Sequence, residues 1–131
     1  MRILVADDER EIAEALAAFV RTRQHEVVAT VTTGGLDVIH SYIQFRPDLL
    51  LVDVLMPKFN GVTVCRAVLS RNPAAKIVLI SGKLDAVHPI ISNTGAIAFL
   101  SKPVDFSKLD EILNTVEASL TPSVLTEAAA T

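Results

Sequence analysis

Residues 47–57 read PDLLLVDVLMP, in which four consecutive apolar residues lead directly to the carboxylate of Asp53. A strand that is apolar at every position, instead of at alternate ones, is typical of a parallel sheet whose two faces are covered by helices. In such open sheets, functional groups collect just past the carboxyl ends of the strands. This stretch therefore predicts a central parallel strand with a polar site at its end.

Short apolar runs of the same kind recur along the chain, and each is followed by a longer stretch with helical spacing. The five runs cover residues 2–6, 26–31, 48–53, 76–80 and 97–100. Because helical crossovers return the chain in the same direction, the order βαβαβαβαβα predicts parallel strands. We expect an α/β three-layer sandwich with an open five-stranded sheet. The run at 26–31 carries Thr30 and residues 96–100 are rich in alanine, so we expect these two strands at the edges.

Four helices are predicted from apolar residues that recur three or four positions apart. The second begins at the Gly34-Gly35 pair and stops at Arg46, and the last is capped by Asp105. A short additional helix after the fourth strand would be capped by Asp85. The residues predicted to face inward are, helix by helix, Ile12, Leu16, Phe19 and Val20; Leu36, Ile39 and Ile43; Val64, Val68 and Leu69; and Leu109, Ile112, Leu113, Val116 and Leu120.

The composition of the chain indicates the class of protein and its surroundings. A chain of 131 residues that is half apolar and 21% charged predicts one ordered globular domain. A net charge of −3 argues against direct binding to nucleic acid or to anionic membranes. No apolar run approaches the roughly 20 residues of a membrane span, and a single cysteine cannot form an intrachain disulfide. We expect a cytoplasmic domain over residues 1–120, followed by a tail or the start of a linker at 121–131.

Polar residues follow four of the five predicted strands. Asp7 and Asp8 follow the first strand, Asp53 ends the third, Ser81 follows the fourth and Lys102 follows the fifth. At an effective dielectric constant of about 20, two carboxylates about 4 Å apart repel by roughly 4 kcal/mol, and one lysine cannot offset three of them. Mg2+, which binds one or two carboxylates together with waters and phosphate oxygens, would complete the set. A carboxylate nucleophile, a metal, a lysine and a hydroxyl together form a site for receiving a phosphoryl group.

Each of these residues has an ordinary alternative role when it is taken alone. Asp8 could cap the first helix, Ser81 could be a turn residue, and Lys102 could be a solvated loop lysine. Because all of them follow strands that end at one edge of the sheet, their joint placement favours the phosphoryl-accepting site. Packing or surface roles are expected for His25, His40, His88 and Cys65.

In this order the motifs resemble the receiver domain of response regulators, the phosphoacceptor half of bacterial two-component signalling, over residues 2 to about 120. The resemblance implies the flavodoxin-like strand order 2-1-3-4-5. It also implies a signalling domain and not an enzyme, phosphorylated by a histidine kinase or a histidine phosphotransfer protein. The segments that carry it are Asp7-Asp8-Glu9, residues 47–57 with Gly61, Ser81-Gly82, and Gly95-Ala96 leading to Phe99-Leu100-Ser101-Lys102-Pro103.

The resemblance implies a role for each residue of the acidic site. Asp53 would accept the phosphoryl group. Mg2+ would be held directly by Asp53, Asp8 and the backbone carbonyl of Leu55, and through a water molecule by Asp7. Lys102 would contact a phosphoryl oxygen.

The resemblance also implies a conformational switch. The hydroxyl of Ser81 would swing toward the phosphoryl group and draw in the loop after the fourth strand, while Phe99 rotates inward, as a shift between two populated states. The peptide bond between Lys102 and Pro103 is expected to be cis.

Three departures from the family pattern refine these expectations. Phe99 replaces a frequent tyrosine, so its rotation cannot make or break a hydroxyl hydrogen bond. Residues 96–98 lack the acidic residues that many receivers use in dimer salt bridges, which argues against that dimer. Leu55 and Lys83 occupy the positions that tune autodephosphorylation, and because Leu55 cannot hydrogen-bond an attacking water, we expect a phosphorylated state that lasts longer than minutes.

Two other functions share some of these features. A haloacid-dehalogenase-type phosphatase also uses an aspartate nucleophile, Mg2+, a hydroxyl and a lysine, but its nucleophile follows the first strand in an Asp-x-Asp pattern. Here the first strand ends in Asp7-Asp8-Glu9. A nucleotide-binding module would need G-x-G-x-x-G or G-x-x-x-x-G-K after a strand, and neither pattern is present.

Overall fold

The computed structural model describes residues 1–82 and 93–120. The additional helix expected at Asp85 and the tail expected at 121–131 lie outside these ranges. The described part contains five strands and four helices, in the order β1 (Arg2–Ala6), α1 (Arg10–Thr22), β2 (Glu26–Val31), α2 (Gly35–Phe45), β3 (Leu49–Asp53), α3 (Gly61–Arg71), β4 (Ile77–Ser81), β5 (Ala98–Ser101) and α4 (Phe106–Leu120).

The sheet confirms the predicted topology. All strand pairs are parallel, in the order β2-β1-β3-β4-β5, and β2 and β5 form the edges. Every residue of the central strand β3 is buried. Leu50 and Val52 join the core under α2 and α3, whereas Leu49 and Leu51 join the core under α1 and α4. The uninterrupted apolar run of β3 thus reflects two cores, one on each face of the sheet.

Three of the four helices turn the predicted face to the core, although Leu120, predicted to face inward at the end of α4, is 38% exposed and that prediction was wrong. Leu16 and Val20 of α1 are buried, as are Val64 and Val68 of α3. In α4 the buried residues are Leu109, Leu113 and Val116. Asp105 caps α4, because its Oδ1 accepts a hydrogen bond of 2.9 Å from the backbone N–H of Ser107. Across residues 1–82 and 93–120, no helix has both the length and the apolar character that crossing a bilayer requires.

Helix α2 turns a different face to the core from the one predicted. Val38 and Tyr42 are buried, whereas Leu36 and Ile43 of the predicted stripe are 39% and 42% exposed. Ile39 is partly buried against the core. The predicted inward stripe of α2 was therefore wrong at both of its ends.

The first residue of α2 explains this difference. A Cβ atom on Gly35 would lie 1.8 Å from the carbonyl oxygen of Phe59, so the loop after β3 crosses directly over this glycine. The backbone N–H of Gly35 also donates a hydrogen bond of 3.1 Å to the carbonyl of Pro57. Val38 and Tyr42 lie three and seven residues further along, on the same helix face as Gly35. The contact with this loop therefore turns their face inward.

The start of α3 packs against the end of β3 just as closely, and we predict that Gly61→Ala destabilises the fold. The added Cβ would lie 2.5 Å from the carbonyl oxygen of Asp53 and 2.8 Å from Cα of Val54. We expect a loss of about 1–3 kcal/mol in the free energy of unfolding, measured by urea denaturation. Gly82→Ala is the control, because its nearest neighbour is a side-chain atom of Lys102 at 3.9 Å. Equal losses in the two variants would contradict the close approach.

Candidate functional site

The carboxyl ends of β1, β3, β4 and β5 meet at one edge of the sheet and bring the predicted site residues together. Asp7 and Asp53 are buried, Asp8 and Glu9 are exposed, and oxygen atoms of these four carboxylates all lie within 4.8 Å of one another. Ser81, the last residue of β4, is fully buried at the same edge. The four acidic residues and Ser81 thus form the rim of one acidic pocket.

Lys102 connects the strands at this pocket. Its Nζ atom lies 2.9 Å from Oδ2 of Asp7, 3.1 Å from Oε1 of Glu9 and 3.4 Å from Oδ2 of Asp53. Its backbone N–H donates a hydrogen bond of 2.9 Å to the carbonyl of Ser81. The Lys102–Pro103 peptide bond is cis, as the resemblance implies. A single ammonium group therefore faces three carboxylates at contact distance.

Local backbone hydrogen bonds fix the two buried carboxylates. Oδ1 of Asp7 accepts a hydrogen bond of 2.8 Å from the backbone N–H of Glu9, and Oδ1 of Asp53 accepts a longer one of 3.4 Å from Leu55. In both residues the second oxygen, Oδ2, is the one that faces Lys102. The turn after each strand thus directs a carboxylate oxygen into the pocket.

The helix-capping role considered for Asp8 is not observed. The residue in the N-cap position of α1 is Glu9, and no side chain caps the helix. The exposed carboxylate of Asp8 belongs to the acidic cluster instead. Helix capping therefore does not account for the position of Asp8 in this cluster.

Glu9 is the participant that sequence reasoning did not single out. It contacts Lys102 although 93 positions separate the two residues. The available signal was its position directly after Asp7-Asp8, where a third acidic residue follows the end of β1. Its exposure in the structure shows that Glu9 approaches the lysine from the solvent side.

The electrostatics of the pocket favour a neutral Asp53. Burial raises the pKa of Asp53, and the negative charge of Asp7 raises it further; Lys102 and the N–H of Leu55 oppose this, and the result is a pKa of about 7. For Lys102, burial alone would lower the pKa, but its contacts with Asp7 and Glu9 and the charge of Asp53 raise it overall. The lysine stays charged, while Asp53 loses its proton only near neutral pH.

The donor set of the pocket fits a divalent cation. Oδ2 of Asp7 is completely buried and accepts no hydrogen bond within the described part of the chain, so the ammonium of Lys102 is its close contact. The other available ligands are also carboxylate oxygens, which Mg2+ prefers. A positive ion here would relieve the repulsion that one lysine leaves uncompensated.

The other residues singled out from the sequence lie beside the acidic pocket or elsewhere in the fold. Leu55 is 51% exposed just beyond Asp53, and Phe99 is partly buried against the core under α2 and α3. Cys65 is buried, as expected. Of the histidines, His25 is buried near Met1 and His40 is exposed, away from the acidic cluster. His88 and Lys83 lie outside the described residues.

Comparison with known proteins decides the family. The family model described as "Response regulator receiver domain" matches residues 3–114. The chain belongs to this family. The haloacid-dehalogenase alternative is set aside, because the match spans most of this receiver domain and its buried carboxylate of raised pKa ends the third strand, not the first.

Named relatives support the assignment. DNA-binding response regulator MtrA of Mycolicibacterium paratuberculosis is 33% identical over 120 residues, which cover 91% of this receiver and 51% of MtrA. Chemotaxis protein CheY of Thermotoga maritima is 31% identical over 117 residues, covering 88% of this chain and 96% of CheY. This receiver therefore spans about half the length of MtrA and nearly all of CheY.

Solved structures include receivers of the same fold. The crystal structure of response regulator protein TrrA from Thermotoga maritima, in complex with Mg(2+)-BeF, aligns with a TM-score of 0.79 at 25% identity. The alignment covers 88% of this chain and 97% of TrrA. Both the sequence and the fold thus place the chain among the receivers.

The raised pKa of Asp53 predicts how stability depends on pH. The folded pKa of Asp53, about 7, exceeds the ordinary aspartate value of 3.8, so the folded state holds this proton more tightly than the unfolded state. The charge of Asp53 therefore destabilises the folded state. This destabilisation is absent near pH 4, grows as the pH rises, and is complete above pH 7. We predict that Asp53→Asn without metal is more stable than wild type by about 2–4 kcal/mol at pH 8, with little difference near pH 4.

Urea denaturation with a chelator at both pH values measures this difference. Glu14→Gln is the control for net charge, because it removes one carboxylate from an exposed position of α1. If the Asp53→Asn variant is less stable than wild type at pH 8, charge repulsion at Asp53 does not destabilise the folded state.

Proposed function

We propose that this receiver is a phosphoacceptor switch in which Asp53 takes a phosphoryl group from a phosphohistidine of a histidine kinase or a histidine phosphotransfer protein. The observation that supports this function is the position of Asp53, a buried carboxylate at the end of the central strand with the ammonium of Lys102 at 3.4 Å. A carboxylate oxygen attacks phosphorus and the phosphorus–nitrogen bond of the donor breaks. The electron pair stays on the donor imidazole, which takes up a proton.

The acidic pocket is also the proposed Mg2+ site. Asp8, Asp53 and the backbone carbonyl of Leu55 would be direct ligands, and Asp7 would act through a water molecule. When bound, Mg2+ supplies positive charge to the oxygens of the transferring phosphoryl group. Removing the repulsion on Asp53 also favours its ionised form, which is the nucleophile. The cation and the acceptor thus depend on the same carboxylates.

Lys102 has a different partner before and after phosphorylation in this proposal. Before transfer its ammonium offsets part of the charge of Asp7 and Asp53. After transfer a phosphoryl oxygen takes the place of Oδ2 of Asp53 as its partner. Because its pKa is raised, the lysine remains a cation throughout.

Ser81 and Phe99 are proposed to carry the signal away from the pocket. They lie on the adjacent strands β4 and β5, where Ser81 pairs with Ser101 and Phe99 pairs with Leu79. A Ser81 hydroxyl that binds the phosphoryl group stabilises the active arrangement by that added contact. Phe99 is partly buried and would turn further inward as the chain around Ser81 moves.

The proposed acceptor domain comprises residues 1–120. We place it in the cytoplasm. A donor protein would dock on α1 beside the pocket, where Ala15 and Ala18 are exposed and leave room for its surface. The net charge of −3 disfavours direct contact between this domain and nucleic acid, so the DNA binding in the name of MtrA is not extended to it. The domain's own chemistry is limited to gaining and losing the phosphoryl group.

The acceptor is tested by intact mass spectrometry after incubation with acetyl phosphate and Mg2+. We expect one phosphoryl adduct on the wild type and none on Asp53→Asn. Asp37→Asn is the matched control, because it makes the same change at an exposed position of α2 and should keep the adduct. An adduct on Asp53→Asn, or none on the wild type, would overturn the proposal.

The lifetime of the phosphorylated state is predicted to depend on Leu55. Its side chain is half exposed beside Asp53 and cannot orient an attacking water. We expect Leu55→Asn to shorten the half-life by roughly fivefold to tenfold, which corresponds to one added hydrogen bond of about 1 kcal/mol. Leu55→Ala removes the bulk without adding a hydrogen-bonding group and is the control. The decay of the adduct with Mg2+ present measures both rates, and a wild-type half-life of seconds would contradict the expectation.

A further inference from the structure

A second cavity lies at the opposite end of the sheet from the acidic pocket, between the ends of α2 and α3. We infer that this cavity, which we call the arginine cavity, binds a small phosphate ester with an organic body, such as a mononucleotide. Its volume is about 350 Å3, within the range of small-molecule sites. The residues that line it are Tyr42, Ile43, Arg46, Pro47, Arg71 and Asn72.

The charge of the arginine cavity is unbalanced. Neither Arg46 nor Arg71 forms an ion pair with any residue that the structure describes. The acidic residue nearest to Arg46 in sequence, Asp48, accepts a hydrogen bond of 2.8 Å at Oδ2 from the backbone N–H of Arg2 and forms no ion pair with either arginine among the described residues. Two arginines therefore line one cavity in a protein of net charge −3. Guanidinium groups bind phosphate oxygens through paired hydrogen bonds.

The neutral polar residues of the cavity add hydrogen-bond donors. Oδ1 of Asn72 accepts a hydrogen bond of 3.2 Å from the backbone N–H of Ala74, which fixes the side-chain amide. Nδ2 of Asn72 then donates to the hydroxyl of Tyr42 at 3.4 Å. Because that hydroxyl oxygen already accepts a hydrogen bond, its own proton is left to donate. Four side chains that carry hydrogen-bond donors therefore line the cavity, and such a set favours an anion.

The backbone at Arg46 supports a role for its side chain. Arg46 follows the last residue of α2 with φ of 47°, in the left-handed region that glycine or asparagine ordinarily occupies at a helix end. Its carbonyl accepts a hydrogen bond of 3.0 Å from the guanidinium of Arg2, which holds this conformation. A long charged side chain is thus kept at a position where glycine would be more stable.

The apolar wall of the cavity determines which phosphate compounds fit. The apolar part of the wall is mainly the side chain of Ile43, which is 42% exposed, since Tyr42 and Pro47 are largely buried, and it offers surface to an organic group. Inorganic phosphate would use the guanidinium groups alone. A mononucleotide would use the guanidinium groups and the wall, so it should bind more tightly than either phosphate or a nucleoside.

The experiment is a titration of the whole chain with adenosine monophosphate, followed by NMR of the backbone amides. A chelator is present, because a metal-loaded acidic pocket would also attract phosphate. We expect saturable shifts at residues 42–47 and 71–72, and binding at least tenfold weaker in Arg46→Gly. Arg46→Gly removes the guanidinium while relieving the left-handed backbone, so this variant should remain folded. Gln24→Gly makes the same backbone change at φ of 66° outside the cavity and should bind like wild type.

Several results would overturn the inference. The inference fails if adenosine monophosphate shows no saturable binding, if its shifts map to the acidic pocket, or if Arg46→Gly and wild type bind it with equal affinity. Adenosine binding as tightly as its monophosphate would refute the role of the arginines. Inorganic phosphate binding as tightly as adenosine monophosphate would refute the ester as the ligand. None of these outcomes affects the acceptor role proposed for Asp53, which the phosphorylation experiment tests separately.

Discussion

The ammonium of Lys102 holds together side chains that would otherwise repel one another. It contacts Asp7 and Glu9 from the end of β1 and Asp53 from the end of β3, although it follows the edge strand β5. This one cation joins the ends of three strands at a single point. Its single charge cannot balance the carboxylates, and the deficit keeps the pKa of Asp53 near neutrality. The affinity of the pocket for positive charge follows from the same deficit.

Such a pocket is suited to a switch. A site with fully paired charges would have little to gain from a phosphoryl group or a cation, because every contact would already be satisfied. Here the contact of the buried Oδ2 of Asp7 within residues 1–82 and 93–120 is ionic, and the hydroxyl of Ser81 lies on the strand next to Phe99. A new ligand can therefore change the preferred arrangement by adding contacts that the resting state lacks.

The two ends of the sheet have opposite chemical character. Carboxylates collect at the carboxyl ends of the strands, where the turns direct Asp7 and Asp53 into one pocket. At the amino ends of the strands, Arg46 follows α2, Arg71 ends α3, and both line the cavity between these helices. The strands between these sites are almost entirely buried. A ligand at either end thus meets a preformed framework.

The amino-acid sequence by itself determined the parallel sheet, its edge strands and the meeting of Asp7, Asp53 and Lys102, because strand ends in a parallel sheet share one edge. It did not determine the inward face of α2, since the apolar period allows several rotations and the contact of Gly35 with the loop at Phe59 selects one. Tertiary structure alone decided that Glu9 reaches Lys102, that Arg46 and Arg71 share a cavity, and that Asp53 titrates near pH 7. These properties depend on distances between residues far apart in the chain and on their burial, which packing sets and local sequence does not encode.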